Sequence, residues 1–219
     1  MKKTVILFDL DGTLLDSTDA ILKCFDDSFG DCNIPTPPKE DIKALIGHPL
    51  DYMYLHLGIE EEKVWDMVDI YKSYYRKRSK SMTYWLPHAK EAIIEASKFA
   101  RLGVVTTKTG SYSMELLEHM GVMKYFEVLI GRENVIHPKP HPEPILKALN
   151  KMKIKDKSCV WMIGDTCMDM VSAKDAGIGS IGVLCGYATE EQLSKCSQYL
   201  HQNVLDSVRV IKKIKKSLC

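Results

Sequence analysis

Five short apolar runs constrain this chain more than any other feature: residues 5–8, 103–105, 126–130, 159–163 and 181–184. Each is rich in β-branched or aromatic residues, and none alternates cleanly between apolar and polar. Strands that read this way are buried on both faces, as in a parallel sheet covered by helices. Helical periodicity fills the gaps. Ala89, Ala92, Ile93, Ala96 and Ala100 recur at three- and four-residue spacing. Residues 111–120 do the same through Met114, Leu117 and Met120, with Gly121 placed as a C-cap. Residues 144–152 carry Ile145, Leu146 and Leu149, and residues 169–176 run to Gly177. This alternation, from residue 88 onward, predicts an α/β fold with a doubly wound, Rossmann-like parallel sheet.

Residues 14–85 break the rhythm. They hold helix-like stretches at 20–29, 40–46 and 60–78, a Pro-rich loop after Asn33, and no convincing strand. The expected organisation is therefore an α/β core domain from residues 1–13 and 86–219. A small all-helical cap domain of four or five helices, residues 14–85, is inserted after strand one. Inserted modules of this kind act as lids that exclude water and read the substrate.

The chain has 219 residues, of which 45% are hydrophobic, and a formal net charge of +1. It is large enough for a sizeable core and too balanced in charge to point to nucleic acid or an anionic membrane. Lys212, Lys213, Lys215 and Lys216 alternate with Val208, Ile211 and Ile214, which reads as the wet face of a last helix. No run approaches the roughly 20 apolar residues of a membrane span, and the N-terminal apolar run is too short for a signal peptide. The cysteines at 24, 32, 159, 167, 185, 196 and 219 form no CxxC or zinc-type spacing, so reduced thiols in a cytoplasmic setting are expected.

The chemistry-bearing residues sit where the apolar runs end. Asp9-Leu-Asp11-Gly12-Thr13 follows residues 5–8 directly. The two carboxylates share a face at a strand's C-terminal end, the edge where open α/β sheets bind ligands. Taken alone, the segment also reads as an ordinary Asp-Gly turn. Gly164-Asp165-Thr-Cys-Met-Asp169 follows the fourth run, with Asp169 at a helix start. Four acidic groups at two strand ends repel unless a cation lies among them, and hard oxygen ligands suit Mg²⁺. Val104-Val-Thr106-Thr107-Lys108 supplies hydroxyls at a third strand end. His137-Pro-Lys139-Pro-His141-Pro-Glu-Pro stiffens a loop around Lys139 ahead of a helix, which suits it to hold an anion. The same prolines argue against a helical metal pair at His137 and His141. Gly177-Ile-Gly179-Ser-Ile-Gly182 matches G-x-G-x-x-G, but it follows a helix and opens a strand, the reverse of a dinucleotide site.

In this order, the motifs resemble those of the haloacid dehalogenase-like hydrolase superfamily, and the resemblance spans essentially the whole chain. Within it, the stretches around Asp9, Thr106, Lys139 and Asp165 look most like phosphoglycolate phosphatases and their relatives, which include pyrophosphatases and sugar-phosphate phosphatases. The resemblance implies a Mg²⁺-dependent phosphomonoester hydrolase acting on a small phosphorylated metabolite, with 2-phosphoglycolate the leading candidate. It implies that Asp9 attacks phosphorus and that Asp11 serves as acid and then base. Asp9, the backbone carbonyl of Asp11 and Asp165 would bind the metal. Thr106 and Lys139 would hold phosphoryl oxygens, with Thr107 and the Gly12–Thr13 N–H groups beside them. Asp169 would orient Lys139 or a water on the metal. His48, in a turn of the cap, is the candidate for substrate recognition. The position after the motif Thr is often Asn in this group and is Thr107 here, which leaves substrate preference open.

Asp11 separates this pattern from dehalogenases and phosphonatases, which lack the second Asp. A β-phosphoglucomutase-like enzyme keeps both and is the main enzymatic alternative; a non-catalytic phosphate-binding regulator is the distant one. The expected state is a monomer or weak homodimer, with neither nucleic acid nor membrane as partner.

Overall fold

The computed structural model describes residues 4–218, with side chains through residue 214. Six parallel strands form one sheet in the order β5-β4-β1-β6-β7-β8. They are β1 (Val5–Phe8), β4 (Arg101–Val105), β5 (Phe126–Ile130), β6 (Val160–Gly164), β7 (Gly179–Val183) and β8 (Leu200–His201). β1 lies in the middle, pairing Val5 with Arg101 on one side and with Val160 on the other.

The lack of polar alternation in β1 has a direct cause. Ile6 and Phe8 point into a cluster with Ala89, Ile93, Leu117 and Val208. Val5 and Leu7 point into a second cluster, with Ile145, Ala148 and Ala173, on the other face. Successive side chains of a strand face opposite sides, so a strand with helices on both faces has no wet side. The first cluster is supplied by α5 (Ala89–Ser97), α6 (Gly110–His119) and α10 (Val204–Leu218), the second by α7 (Glu143–Lys151) and α8 (Cys167–Ala176). This is a doubly wound α/β fold. Gly177 adopts φ 72° at the C-cap of α8, so the glycine-rich stretch after it ends a helix and feeds β7.

Between β1 and α5 stand four helices: α1 (Thr18–Asp31), α2 (Lys39–Ala44), α3 (Leu50–His56) and α4 (Glu61–Arg78). They bury an aromatic cluster of their own. Phe25 packs 4.8 Å from Tyr54 and 5.1 Å from Tyr71, ring centre to ring centre. Ser28 satisfies the buried Tyr54 hydroxyl at 2.6 Å.

Three features differ from the sequence reading. Residues 14–85 do contain strand: β2 (Leu15–Asp16) pairs antiparallel with β3 (Tyr84–Trp85), where the chain leaves and re-enters the core. Two-residue strands carry no periodicity to read. β8 escaped for the same reason, and α9 (Glu190–Ser194), at five residues, is too short to show a helical period. The thiols are not all reduced: Cys167 and Cys196 form a disulfide, Cα–Cα 5.7 Å, across 29 residues. The chain's return through β7 and α9 brings them together, which no sequence spacing announces. Cys24, Cys32 and Cys185 are free.

Candidate active site

The C-terminal ends of β1, β4 and β6 meet at one point. Asp9 follows β1, and its N–H donates to the Ile163 carbonyl, locking the turn to β6. Asp165 follows β6 and is fully buried. Thr106 follows β4, its N–H donating to Ile130 of β5. Lys139 reaches in from the Pro-rich loop. Its Nζ lies 2.9 Å from Asp9 Oδ1 and 2.6 Å from Asp169 Oδ1, and donates to the Val105 carbonyl at 3.1 Å. Asp169 stands one turn into α8, where the Thr166 N–H and hydroxyl donate to its other oxygen. Both Asp169 oxygens are therefore engaged, and the side chain is fixed as a brace for Lys139.

Burial of so many charges moves their proton affinities. Burial pushes the Asp9 carboxyl up to about 7, with Lys139 opposing and Asp169 adding to the rise. Burial, then the charges of Asp9 and Asp169, hold Asp165 well above the usual carboxylate range. Burial also works against the Lys139 ammonium, but Asp169 and Asp9 outweigh it and keep its pKa above that of a free lysine. Asp165 receives bonds from the Thr13 hydroxyl at 3.0 Å and the Tyr187 N–H at 2.9 Å. A Cβ on Gly12 or on Gly186 would come within 2.2 Å of Asp165 Oδ2, so the backbone on both sides closes on that carboxylate.

The arrangement fits a divalent cation. Asp9, Asp165 and Asp169 bring carboxylate oxygens within 4.8 Å of one another. Four carboxyl groups, Asp9, Asp11, Asp165 and Asp169, face two lysines, Lys139 and Lys108, among the described residues. Asp11 Oδ1 is buried with no hydrogen-bond partner. Hard oxygen donors with excess negative charge suit a hard dication.

Other expected residues land differently. The Asp11 carboxylate turns to Lys108 Nζ at 2.8 Å rather than to the Asp9 cluster. The Gly12 and Thr13 N–H groups, expected to cradle phosphate, instead donate to the carbonyls of Leu15 and Leu10 within the turn. Thr107 was expected on the phosphate; its hydroxyl donates to the Gly47 carbonyl of the helical unit at 2.7 Å. Thr106 Oγ1 accepts the Lys108 N–H at 3.2 Å, which leaves its own hydrogen to donate. His48 lines a cavity shared with Asp11 and stacks on Tyr52, ring centres 4.2 Å apart. His137 and His141 brace the Lys139 loop through Glu143. His141 Nδ1 accepts the Glu143 N–H at 3.1 Å, so that nitrogen already has a partner.

Sequence reasoning passed over Lys108, Tyr75 and Tyr187. Lys108 bridges Asp11 and the Tyr75 hydroxyl, the latter at 2.7 Å. Burial works against its charge, and Asp11 and Tyr75 together more than offset this. Its one sequence signal was its place two residues after Thr106. Tyr75 and Tyr187 act from distant segments and had no local signal.

Residues 6–183 match the family model described as haloacid dehalogenase-like hydrolase. The chain is similar to the protein named "Probable phosphatase IndB" of Dickeya dadantii, 35% identical over 198 residues, covering 87% of this chain and 85% of the relative. It is similar to "Pyrophosphatase PpaX" of Bacillus velezensis, 31% identical over 208 residues, covering 90% and 95%. Among solved structures, a haloacid dehalogenase-like family hydrolase from Streptococcus pneumoniae superposes with a TM-score of 0.85 at 26% identity, covering 95% of this chain and 98% of that one. Together, the strand-end carboxylates, the lysine braced between two of them and a family match over most of the chain make this protein a member of the haloacid dehalogenase-like hydrolases.

Proposed function

We propose that the protein is a Mg²⁺-dependent phosphatase that hydrolyses a phosphate monoester of a small metabolite through an aspartyl-phosphate on Asp9. The observation that carries this reading is Lys139, held between Asp9 and Asp169 beside Asp165. A buried ammonium against a buried carboxylate nucleophile neutralises the approach of an anionic phosphoryl group. The Asp9 oxygen forms the new bond to phosphorus as the ester oxygen leaves. Asp11, on the cavity side, protonates that oxygen and then takes a proton from the attacking water. The Thr106 hydroxyl and Lys139 hold phosphoryl oxygens, and Asp169 positions Lys139. Asp9, Asp165 and the Asp11 backbone carbonyl would hold the metal, which supplies charge neutralisation when bound. Residues 14–85 serve as the cap, with His48 facing the substrate. The motif resemblance makes 2-phosphoglycolate the reference substrate, while the name of the Bacillus velezensis relative brings in pyrophosphate.

A cytoplasmic location is proposed. Among the described residues no helix is long and apolar enough to cross a membrane, while the Cys167–Cys196 disulfide weighs against a reducing compartment.

The test is phosphate release with Mg²⁺ from a panel of phosphate esters. Asp9→Asn is expected to lower kcat by on the order of 10⁴-fold or more, as loss of a nucleophile does, and rapid acid quench of the wild type should leave a phosphoryl group on the peptide containing Asp9. Turnover that survives either Asp9→Asn or removal of divalent metal would sink the mechanism.

A further inference from the structure

Beside Asp11 lies the space a leaving group must occupy, a cavity of about 230 Å³ between the helical unit and the core. It is far larger than the roughly 30 Å³ share of one water. Ile21, Met53, Val68 and Tyr71 wall it from the helical side and Tyr112 from α6. Trp65 stands at its edge with 59% of its surface exposed.

The charged groups around this cavity are already paired. Lys108 meets Asp11 at 2.8 Å, Arg132 meets Asp51 at 3.5 Å, and Lys72 lies 3.8 Å from Asp69. Glu133 is held by the N–H groups of Gly110 and Ser111 at 2.7 and 3.1 Å. Burial, and then the neighbouring His56, lower the His48 pKa, so that ring is neutral near pH 7. A second anionic group on the substrate would thus meet, among the described residues lining the cavity, cations that already face a carboxylate, with Arg132 Nε buried and without a hydrogen bond. It would enter partly desolvated, beside Asp11, and would compete with the carboxylate that each of these cations already faces. An apolar or aromatic group meets the opposite situation. It buries its surface against aliphatic and aromatic walls, with the exposed indole of Trp65 as a face to stack on.

We propose that the enzyme's substrate is a phosphate monoester of an uncharged alcohol with an apolar or aromatic body, so that 2-phosphoglycolate and pyrophosphate are poor substrates. This rests on the phosphatase reading above and deepens it: the core residues define the phosphoryl chemistry, and the cavity defines the alcohol.

The experiment compares kcat/KM of the full chain with Mg²⁺ for methyl, propyl, pentyl and 2-phenylethyl phosphates against 2-phosphoglycolate and pyrophosphate. The alkyl leaving groups are alcohols of similar acidity, so differences among them report binding in the cavity. Rates are expected to rise on the order of fourfold per added methylene until the cavity is filled. The 2-phenylethyl ester is expected to exceed 2-phosphoglycolate by about tenfold or more. Trp65 is exposed, so its variants fold. Trp65→Ala should lower kcat/KM for 2-phenylethyl phosphate more than for methyl phosphate, mainly through KM. Trp65→Lys, which adds an unpaired cation at the edge, should shift the ratio toward 2-phosphoglycolate. A flat alkyl series, or 2-phosphoglycolate or pyrophosphate turned over faster than every uncharged ester, overturns the proposal while leaving the phosphatase reading standing. Hydrolysis of none of these compounds overturns both.

Discussion

At Asp9 a contest between burial and charge decides how the site answers to pH. Burial pushes its carboxyl up to about 7 from an ordinary 3.8, with Lys139 working against the rise. A carboxyl that holds its proton more tightly folded than unfolded stabilises the fold below its unfolded pKa, and that stability is lost as pH rises through the folded value. The melting temperature of the metal-free protein is therefore expected to fall between about pH 4 and pH 7. Mg²⁺ should restore more at the upper end of that range than at the lower, and the slope should weaken in Asp9→Asn. A melting temperature that stays level across the range would contradict this. At this scale the sequence was legible where chemistry sits at a strand end: Asp9, Thr106 and Asp165 each follow an apolar run. It was illegible where an outcome depends on a partner from elsewhere. Nothing local to Lys108 tells that Asp11 and Tyr75 will enclose it, and nothing in Gly12-Thr13 tells that the turn consumes its own N–H groups.

Among the elements, α6 shows how a helix is anchored from outside its own sequence. Its N-cap residue, Thr109, makes no side-chain cap. Glu133 of the turn after β5 instead accepts the N–H groups of both Gly110 and Ser111. A carboxylate there satisfies orphan donors and faces the positive end of the helix dipole. Glu133→Ala is expected to cost about 1 kcal/mol, or about 2–4 °C in melting temperature for a chain of this size, read by thermal denaturation. An unchanged melting temperature would mean water replaces the cap without loss. The five long strands were readable because burial on both faces removes polar residues from them. β2, β3 and β8 were not, because two residues cannot show a pattern. Nor does any local pattern record where Cys167 and Cys196 come to lie.

Over the whole molecule, the helical unit meets the core through few polar contacts. Thr107 donates to Gly47, Lys108 to Tyr75, Arg76 Nε to the Tyr112 hydroxyl at 2.6 Å, and Arg132 lies near Asp51. Tyr112 and Tyr187 add apolar contact with the helical unit's cluster, and interfaces within a chain that mix polar and apolar contacts in this way allow relative motion of the parts they join. Thr107→Val keeps the shape and removes one of these bonds, worth about 0.5–1.5 kcal/mol net. If that bond favours the closed cap, kcat/KM falls about two- to tenfold while the melting temperature holds. A lower melting temperature with unchanged kcat/KM would make it a static brace instead.

The central place of β1 also sets an order of events. A chain made from its N-terminus produces the strand that bears Asp9 first. That strand's neighbours begin only at Arg101 and Val160, and the lysine that offsets its charge comes at Lys139. Until those are made, Asp9 is an ordinary hydrated aspartate on an unpaired segment. The buried setting of Asp9 is thus complete only once these segments exist, and a chain that stops before β6 is made carries the aspartate without the partners that surround it.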